Sequence, residues 1–201
     1  LPEDPRWTAW LGDIAKAEER PLERSAAPGG AGDERYEQWR KTNLYRQRQP
    51  GFVAVTVTLP LGDLTSLQAR ALVDICRRYV DDTLRTTVEQ NILLRWVHEA
   101  DVPGLYRDLD AAGLGDPGAE TIVDVTSCPG TDTCKLGIAS SRGLAAELQE
   151  RLVQRQKNGG IDPAVRNLHI NMSGCFNSCG QHHLADIGFY GVSLKVGGAT
   201  V

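Results

Sequence analysis

Phe52-Val53-Ala54-Val55-Thr56-Val57-Thr58-Leu59 is the stretch on which the architecture turns. Most of its residues are β-branched or aromatic, and Pro50-Gly51 before it and Pro60 after it bound it, so it predicts a β-strand. Beyond it, Thr65-Ser66-Leu67-Gln68 offers a capping box, in which the Thr65 side chain and Gln68 satisfy exposed amide groups reciprocally. Leu72, Ile75, Cys76 and Tyr79 follow at helical spacing, which predicts a helix over about 66–80 with one apolar face. Leu84 to Val88 and Ile92 to Val97 read as two strands around Glu89-Gln90-Asn91. Val102 to Leu114 reads as a second helix that ends near Gly113 and Gly115. The order β-α-β-β-α implies an α+β arrangement, with helices packed on one face of an antiparallel sheet.

Upstream of Phe52 the chain looks peripheral. Trp7, Trp10, Leu11 and Ile14 fall on one side of a short helix. The run Arg20 to Asp33, with Pro21, Pro28, Gly29, Gly30 and Gly32, has the composition of a linker. A polar helix containing Tyr36 and Trp39 is expected after it.

A second unit begins near Glu120. Thr121 to Thr126 predicts a short strand running into Cys128-Pro129-Gly130-Thr131-Asp132-Thr133-Cys134. A helix from about Ser141 to Gln156 follows, with Leu144, Leu148 and Leu152 in one stripe, and Lys157-Asn158-Gly159-Gly160 ends it. Asn167 to Met172 predicts a strand that delivers Cys175-Phe176-Asn177-Ser178-Cys179, and Asp186 to Tyr190 another. Residues 194–201 read as a strand and a turn entering a further strand, and the chain has no initiator Met; both suggest a fragment.

The 201 residues are 41% hydrophobic and 24% charged, the balance of an ordinary globular protein. A formal net charge of -4 gives no reason to expect nucleic-acid binding, and leaves room for a local basic pocket for a small anion. No apolar run approaches the roughly 20 residues of a membrane-spanning helix. Leu1-Pro2-Glu3-Asp4-Pro5 lacks the basic start and apolar stretch of a secretory signal, so a cytoplasmic, reducing setting is expected.

In such a setting close cysteine pairs favour metal ligation or chemistry over disulfides. Thiolates are soft ligands suited to iron–sulfur clusters and to zinc. Four match the usual count for a cubane cluster. The wider first gap suits ligands spread around a cube better than the close knuckles of zinc fingers, although structural zinc, a disulfide and buried free thiols remain open on spacing alone. Cys76 is set apart, since it lies on the apolar face of a helix and reads as core.

Cys128 through Cys134 followed by Lys135-Leu136-Gly137, and Ser173-Gly174-Cys175-Phe176-Asn177-Ser178-Cys179-Gly180, resemble the cluster signature of the sirohaem sulfite and nitrite reductases. Leu84-Arg85-Thr86-Thr87-Val88-Glu89-Gln90-Asn91 is similar to the Arg-x-Thr-x-x-Gln-Asn stretch of that family's ferredoxin-like half-domain. Pro60-Leu61-Gly62 falls where the family has a Gly-rich turn after its first strand. The resemblance runs from about Arg46 to the end.

It implies a division into N-terminal peripheral helices and linker (1–45), a ferredoxin-like half-domain (46–118) and an incomplete α/β cluster-binding domain (119–201). It implies a [4Fe–4S] cluster held by Cys128, Cys134, Cys175 and Cys179, with Cys179 also ligating the sirohaem iron and so acting catalytically. Sulfite would be reduced to sulfide, or nitrite to ammonia, with six electrons passing from the cluster through the shared cysteine. The donor would be ferredoxin or a flavoprotein; neither it nor the anion is chosen by the residues. Non-catalytic electron transfer, or a zinc-stabilised structural domain, is the alternative.

Sirohaem carries eight carboxylates, so its pocket needs cations and hydrogen-bond donors. Arg85, Thr87, Gln90, Asn91 and Asn177 are the candidates. Arg142, near a helix start, hints at an anionic partner. His182-His183 would lie on a strand with rings on opposite faces, packing or hydrogen bonding beside the cluster. Phe176 stands where many relatives have Pro. The basic residues that grip the anion would come from the missing half of the polypeptide.

Overall fold

The computed structural model describes residues 12, 13, 15–20, 33–81, 84–197, 199 and 200. Trp7, Trp10, Leu11, Ile14 and residues 21–32 of the expected linker lie outside the described residues; residues 15–19 are helical. The chain forms two compact units. The first takes residues up to Thr58 together with Leu64–Thr87 and Asn91–Pro117, and the second takes Leu59–Asp63, Val88–Gln90 and residues from Gly118 on.

The first unit is built from α1 (Glu34–Asn43), β1 (Leu44–Arg46), β2 (Phe52–Val57), α2 (Ser66–Tyr79), β3 (Leu84–Thr86), β4 (Ile92–His98) and α3 (Val102–Ala111). Its sheet has the order β1-β2-β4-β3 and is antiparallel at every pairing. This is the α+β architecture expected from the strand and helix order. β1 is an addition. Three residues are too few to show a period, and β1 exists because Leu44 pairs with Val55 and Arg46 with Val53.

The helix boundaries follow from local chemistry. Asp33 caps α1 by accepting the Arg35 amide at 2.9 Å. The capping box at α2 is complete: Thr65 Oγ1 accepts the Gln68 amide at 3.2 Å, and Gln68 Oε1 accepts the Thr65 amide at 3.1 Å. Leu72, Ile75, Cys76 and Tyr79 are buried, as the period requires. Burial pushes the Cys76 thiol up to about 11.

The second unit contains β5 (Thr126–Ser127), α4 (Ser141–Lys157), β6 (Ile170–Ser173), β7 (Ile187–Tyr190), β8 (Lys195–Val196) and β9 (Ala199–Thr200). β5, β6 and β7 form a parallel sheet in that order, and β8 and β9 pair antiparallel. Parallel neighbours need a long crossover, and α4 supplies it between β5 and β6. The core gathers Ile122, Val123, Val125, Ala145, Ile170 and Met172, with Leu148 and Leu152 of α4 packed against it.

Two expectations are corrected here. The strand over 121–126 shrinks to Thr126–Ser127, because the Thr121 hydroxyl and amide both bond the Gly118 carbonyl and the Asp124 amide bonds the Thr121 carbonyl, which closes a turn. Leu144 leaves the buried stripe of α4 and is exposed.

Candidate metal centre

Ligands of open parallel sheets sit beyond the carboxyl ends of the strands. β5 ends at Ser127 and β6 at Ser173, and the parallel register sets Ser127 beside Met172. Cys128 therefore leaves its strand next to the point where Gly174 and Cys175 leave theirs. The Cys128 amide donates to the Met172 carbonyl at 3.1 Å, and the Gly174 amide donates to Cys128 Sγ at 3.1 Å.

The two loops are then stitched together. Residues 128–134 fold back through a short helical turn at Gly130–Asp132, with the Cys134 amide on the Gly130 carbonyl at 3.0 Å. The Ile138 and Ala139 amides both donate to the Gly174 carbonyl, at 2.8 and 3.0 Å. A Cβ at Gly174 would come 2.6 Å from Gly130 Cα, and one at Gly180 would overlap the Met172 carbonyl oxygen. Only glycine allows the backbones to approach this closely.

Burial is graded across the four thiols. Cys128 and Cys175 are buried, Cys134 is half-buried and Cys179 is exposed; none is in a disulfide. Burial by itself raises the Cys128 thiol, yet hydrogen bonds from the Ser141 hydroxyl and the Gly174 and Gly130 amides hold it below its ordinary value. Thiolate is the ligating form, and amide-to-sulfur bonds tune the potentials of iron–sulfur centres. Among the described residues no three His, Cys, Asp or Glu side chains are gathered as around a single metal ion. What the fold provides is two thiol-bearing loops joined along one sheet edge, with amide donors aimed at sulfur. That donor set fits a thiolate-ligated cluster.

The other candidate residues divide between the units. In the first unit Arg85 is exposed and donates through Nη1 to the Leu84 carbonyl at 2.9 Å. Thr87 and Asn91 close a tight turn: the Thr87 amide donates to the Asn91 carbonyl at 3.0 Å, and the Asn91 amide to Thr87 Oγ1 at 3.2 Å. In the second unit Asn177 is exposed within the 175–179 loop. Gln90 pairs both ends of its amide with the backbone of Ser127, donating to its carbonyl at 2.9 Å and accepting its N–H at 3.3 Å. It braces β5 immediately before Cys128.

Arg142 serves the fold rather than an external anion. Its guanidinium donates to the Leu61 carbonyl at 2.9 Å, pairs with Asp63, and lies 3.5 Å from Asp132 inside the first cysteine loop. His182 and His183 are not on a strand. Gln181 adopts left-handed backbone (φ 57) and the chain turns there, so both rings converge on Ser178 Oγ instead of pointing apart. Ser141, Ser173 and Ser178, which bond sulfur, amide and imidazole, carried no signal beyond their nearness to the cysteines.

An antiparallel α+β unit, together with an α/β unit whose strand ends deliver cysteine loops, defines a cluster-binding redox class. Residues 45–112 match the nitrite/sulfite reductase ferredoxin-like half domain, and residues 118–199 match the nitrite and sulphite reductase 4Fe-4S domain. The chain belongs to the nitrite and sulfite reductase family. It is 28% identical over 182 residues to the ferredoxin–nitrite reductase of Synechococcus elongatus, covering 89% of this chain and 34% of that protein. It is 30% identical over 149 residues to the ferredoxin sulfite reductase of Mycobacterium tuberculosis, covering 73% of this chain and 26% of that one. The solved structure of the Mycobacterium tuberculosis NirA protein superposes with a TM-score of 0.66 at 27% identity, over 96% of this chain and 35% of that chain. The chain thus spans about a third or less of the length of these relatives.

Proposed function

We propose that this chain is the cluster-bearing portion of a sirohaem-dependent reductase acting on sulfite or nitrite, with Cys128, Cys134, Cys175 and Cys179 as the ligands of a [4Fe–4S] cluster. Cys179 also ligates the sirohaem iron. The observation that carries this reading is the junction of the two cysteine loops at Gly174, whose amide bonds Cys128 Sγ and whose carbonyl takes two amides from the segment after Cys134. When bound, the cluster and the tetrapyrrole supply the one-electron steps of a six-electron reduction.

The chain's own residues hold and tune. Buried Cys128 and Cys175 anchor the inner side of the centre, and exposed Cys179 faces outward, as a thiolate shared with a second centre must. Arg85, Thr87 and Asn177 offer donors to the tetrapyrrole carboxylates, while buried Asn91 holds the turn with Thr87 and Gln90 acts through Ser127.

In this reading residues 1–45 are peripheral, 46–118 form the half-domain and 119–201 the cluster domain. The remainder of the polypeptide supplies the basic residues that grip the anion. Ferredoxin, named for the relatives, is the favoured donor, with a flavoprotein as the other. Among the described residues no helix is long and apolar enough to cross a membrane; the thiol chemistry itself calls for a reducing, cytoplasmic setting.

Full-length protein purified anaerobically is expected to contain iron, acid-labile sulfide and a reduced-tetrapyrrole visible spectrum, and to reduce sulfite or nitrite. Iron and sulfide without tetrapyrrole would make it an electron-transfer module. A colourless protein with zinc would overturn the cluster.

A further inference from the structure

The Cys175–Cys179 loop is held by a side-chain network that the ligand set does not require. Ser173, the last residue of β6, accepts the Gly180 amide on Oγ at 3.1 Å, and the same oxygen lies 2.9 Å from His182 Nδ1. Ser178 Oγ, within the loop, lies 3.2 Å from His182 Nδ1 and also bonds His183 Nδ1. The His182 ring stacks on Tyr190 of β7 with centroids 5.0 Å apart and planes at 20°. One ring nitrogen thus reaches the residue two before Cys175 and the residue one before Cys179.

Counting protons assigns the tautomer. A bare Nδ1 has one in-plane lone pair and serves two hydroxyls poorly, whereas an N–H shared between two oxygens is a common three-centre bond. With Nδ1–H on His182 donating to Ser173 and Ser178, the Ser178 hydroxyl is free to donate to His183 Nδ1, and each of these contacts is satisfied. The clamp also has something to hold. Ser178 (φ 62) and Gln181 (φ 57) adopt left-handed backbone that L side chains rarely take up, and such conformations persist only where surroundings over-determine them.

We propose that His182 is a positioning residue that locks the Cys175–Cys179 loop in its ligating conformation, clamping Ser178 to Ser173 through Nδ1–H. This rests on Cys179 being a ligand, as proposed above, but the clamp is testable without the cluster. The test compares His182→Ala with His182→Asn in the 201-residue chain, because an Asn side-chain amide can donate from about the Nδ1 position.

In the cluster-free chain, hydrogen exchange at the Gly180 amide should rise about tenfold or more in His182→Ala and stay within about threefold of the parent in His182→Asn. After cluster reconstitution, His182→Ala should lose iron to a chelator faster and show an altered EPR signal of the reduced cluster, with His182→Asn restoring both. Unchanged Gly180 exchange in His182→Ala, or His182→Asn behaving like His182→Ala, overturns the clamp. If the full-length protein holds no iron and acid-labile sulfide, the functional reading fails and the exchange measurement alone decides the clamp. Should His182→Ala not fold by circular dichroism, Ser178→Ala takes its place, and unchanged Gly180 exchange there is equally fatal.

Discussion

Replacing Gly174 by Ala tests the junction of the two cysteine loops most directly. The added Cβ would lie 2.6 Å from Gly130 Cα and 2.9 Å from the Ala139 carbonyl oxygen, and both obstacles are backbone. Side-chain β-carbons essentially never approach inside 3.0 Å, and ordinary contact begins near 3.4 Å. The two loops must therefore separate by about 0.4–0.8 Å, an overpacking that costs roughly 1–3 kcal/mol. For a chain of this size each kcal/mol lowers Tm by about 2–4 °C. The separation also acts on the 3.1 Å bond from the Gly174 amide to Cys128 Sγ and on the two amides received by the Gly174 carbonyl. Gly174→Ala is thus expected to lower Tm by about 5 °C and to reduce iron and acid-labile sulfide after anaerobic reconstitution.

Gly159→Ala is the control. Gly159, unlike Gly174, has a positive φ (+67) and nothing within 4 Å of its Cβ position, so Ala there brings about 1–2 kcal/mol of backbone strain without touching the loops. It should lower Tm and leave the iron content at the parent value. A Gly174→Ala protein with parent Tm and full iron and sulfide would refute the claim that these backbones are in obligatory contact.

Three further outcomes are expected. Thr65→Ala removes the side-chain half of the α2 capping box, leaving the bond from the backbone amide of residue 65 to Gln68, and should cost about 1 kcal/mol, read as a Tm loss of a few degrees that Thr65→Ser largely restores. Cys76 should resist alkylation in the native chain. Its folded value of about 11 lies above the unfolded one, so its contribution to stability is complete below pH 9 and is lost as pH rises through 11; Cys76→Ala should flatten that part of the urea-measured stability profile, and an unchanged profile would count against burial as the cause. In the full-length protein Cys179→Ser should lose the tetrapyrrole spectrum, and normal reductase activity in that variant would end the bridging assignment.

Much of the first unit was legible because its signals are local. The β2 strand is bounded by Pro50-Gly51 before it and Pro60 three residues after it, and Thr65 and Gln68 cap α2 across a single turn. β1 was not legible, since its three residues become a strand only by pairing with Val53–Val55. Trp96 shows the same limit: it takes φ 63 inside β4, where the register against β2 shifts, and its amide bonds Gln47 Oε1 at 2.8 Å. Hydrophobic alternation cannot foretell such a bulge. The turn at Gln181 likewise brings His182 and His183 to one hydroxyl, which strand alternation cannot foretell.

From the sequence alone came the chemistry on offer: four thiols in two spaced pairs, a fifth on an apolar helix face, and the strands and helices that carry them. These follow from residue type and short-range period, which act within a few residues. Tertiary structure decided which groups meet. Parallel pairing of β5 with β6 sets Cys128 against Gly174, Gln90 reaches across to Ser127, and Arg142 is neutralised by Asp63 and Asp132. Each of those contacts joins positions from 10 to 79 apart in the chain, and a hydrogen bond over that separation leaves no mark on local propensity; only the folded backbone brings its donor and acceptor within reach.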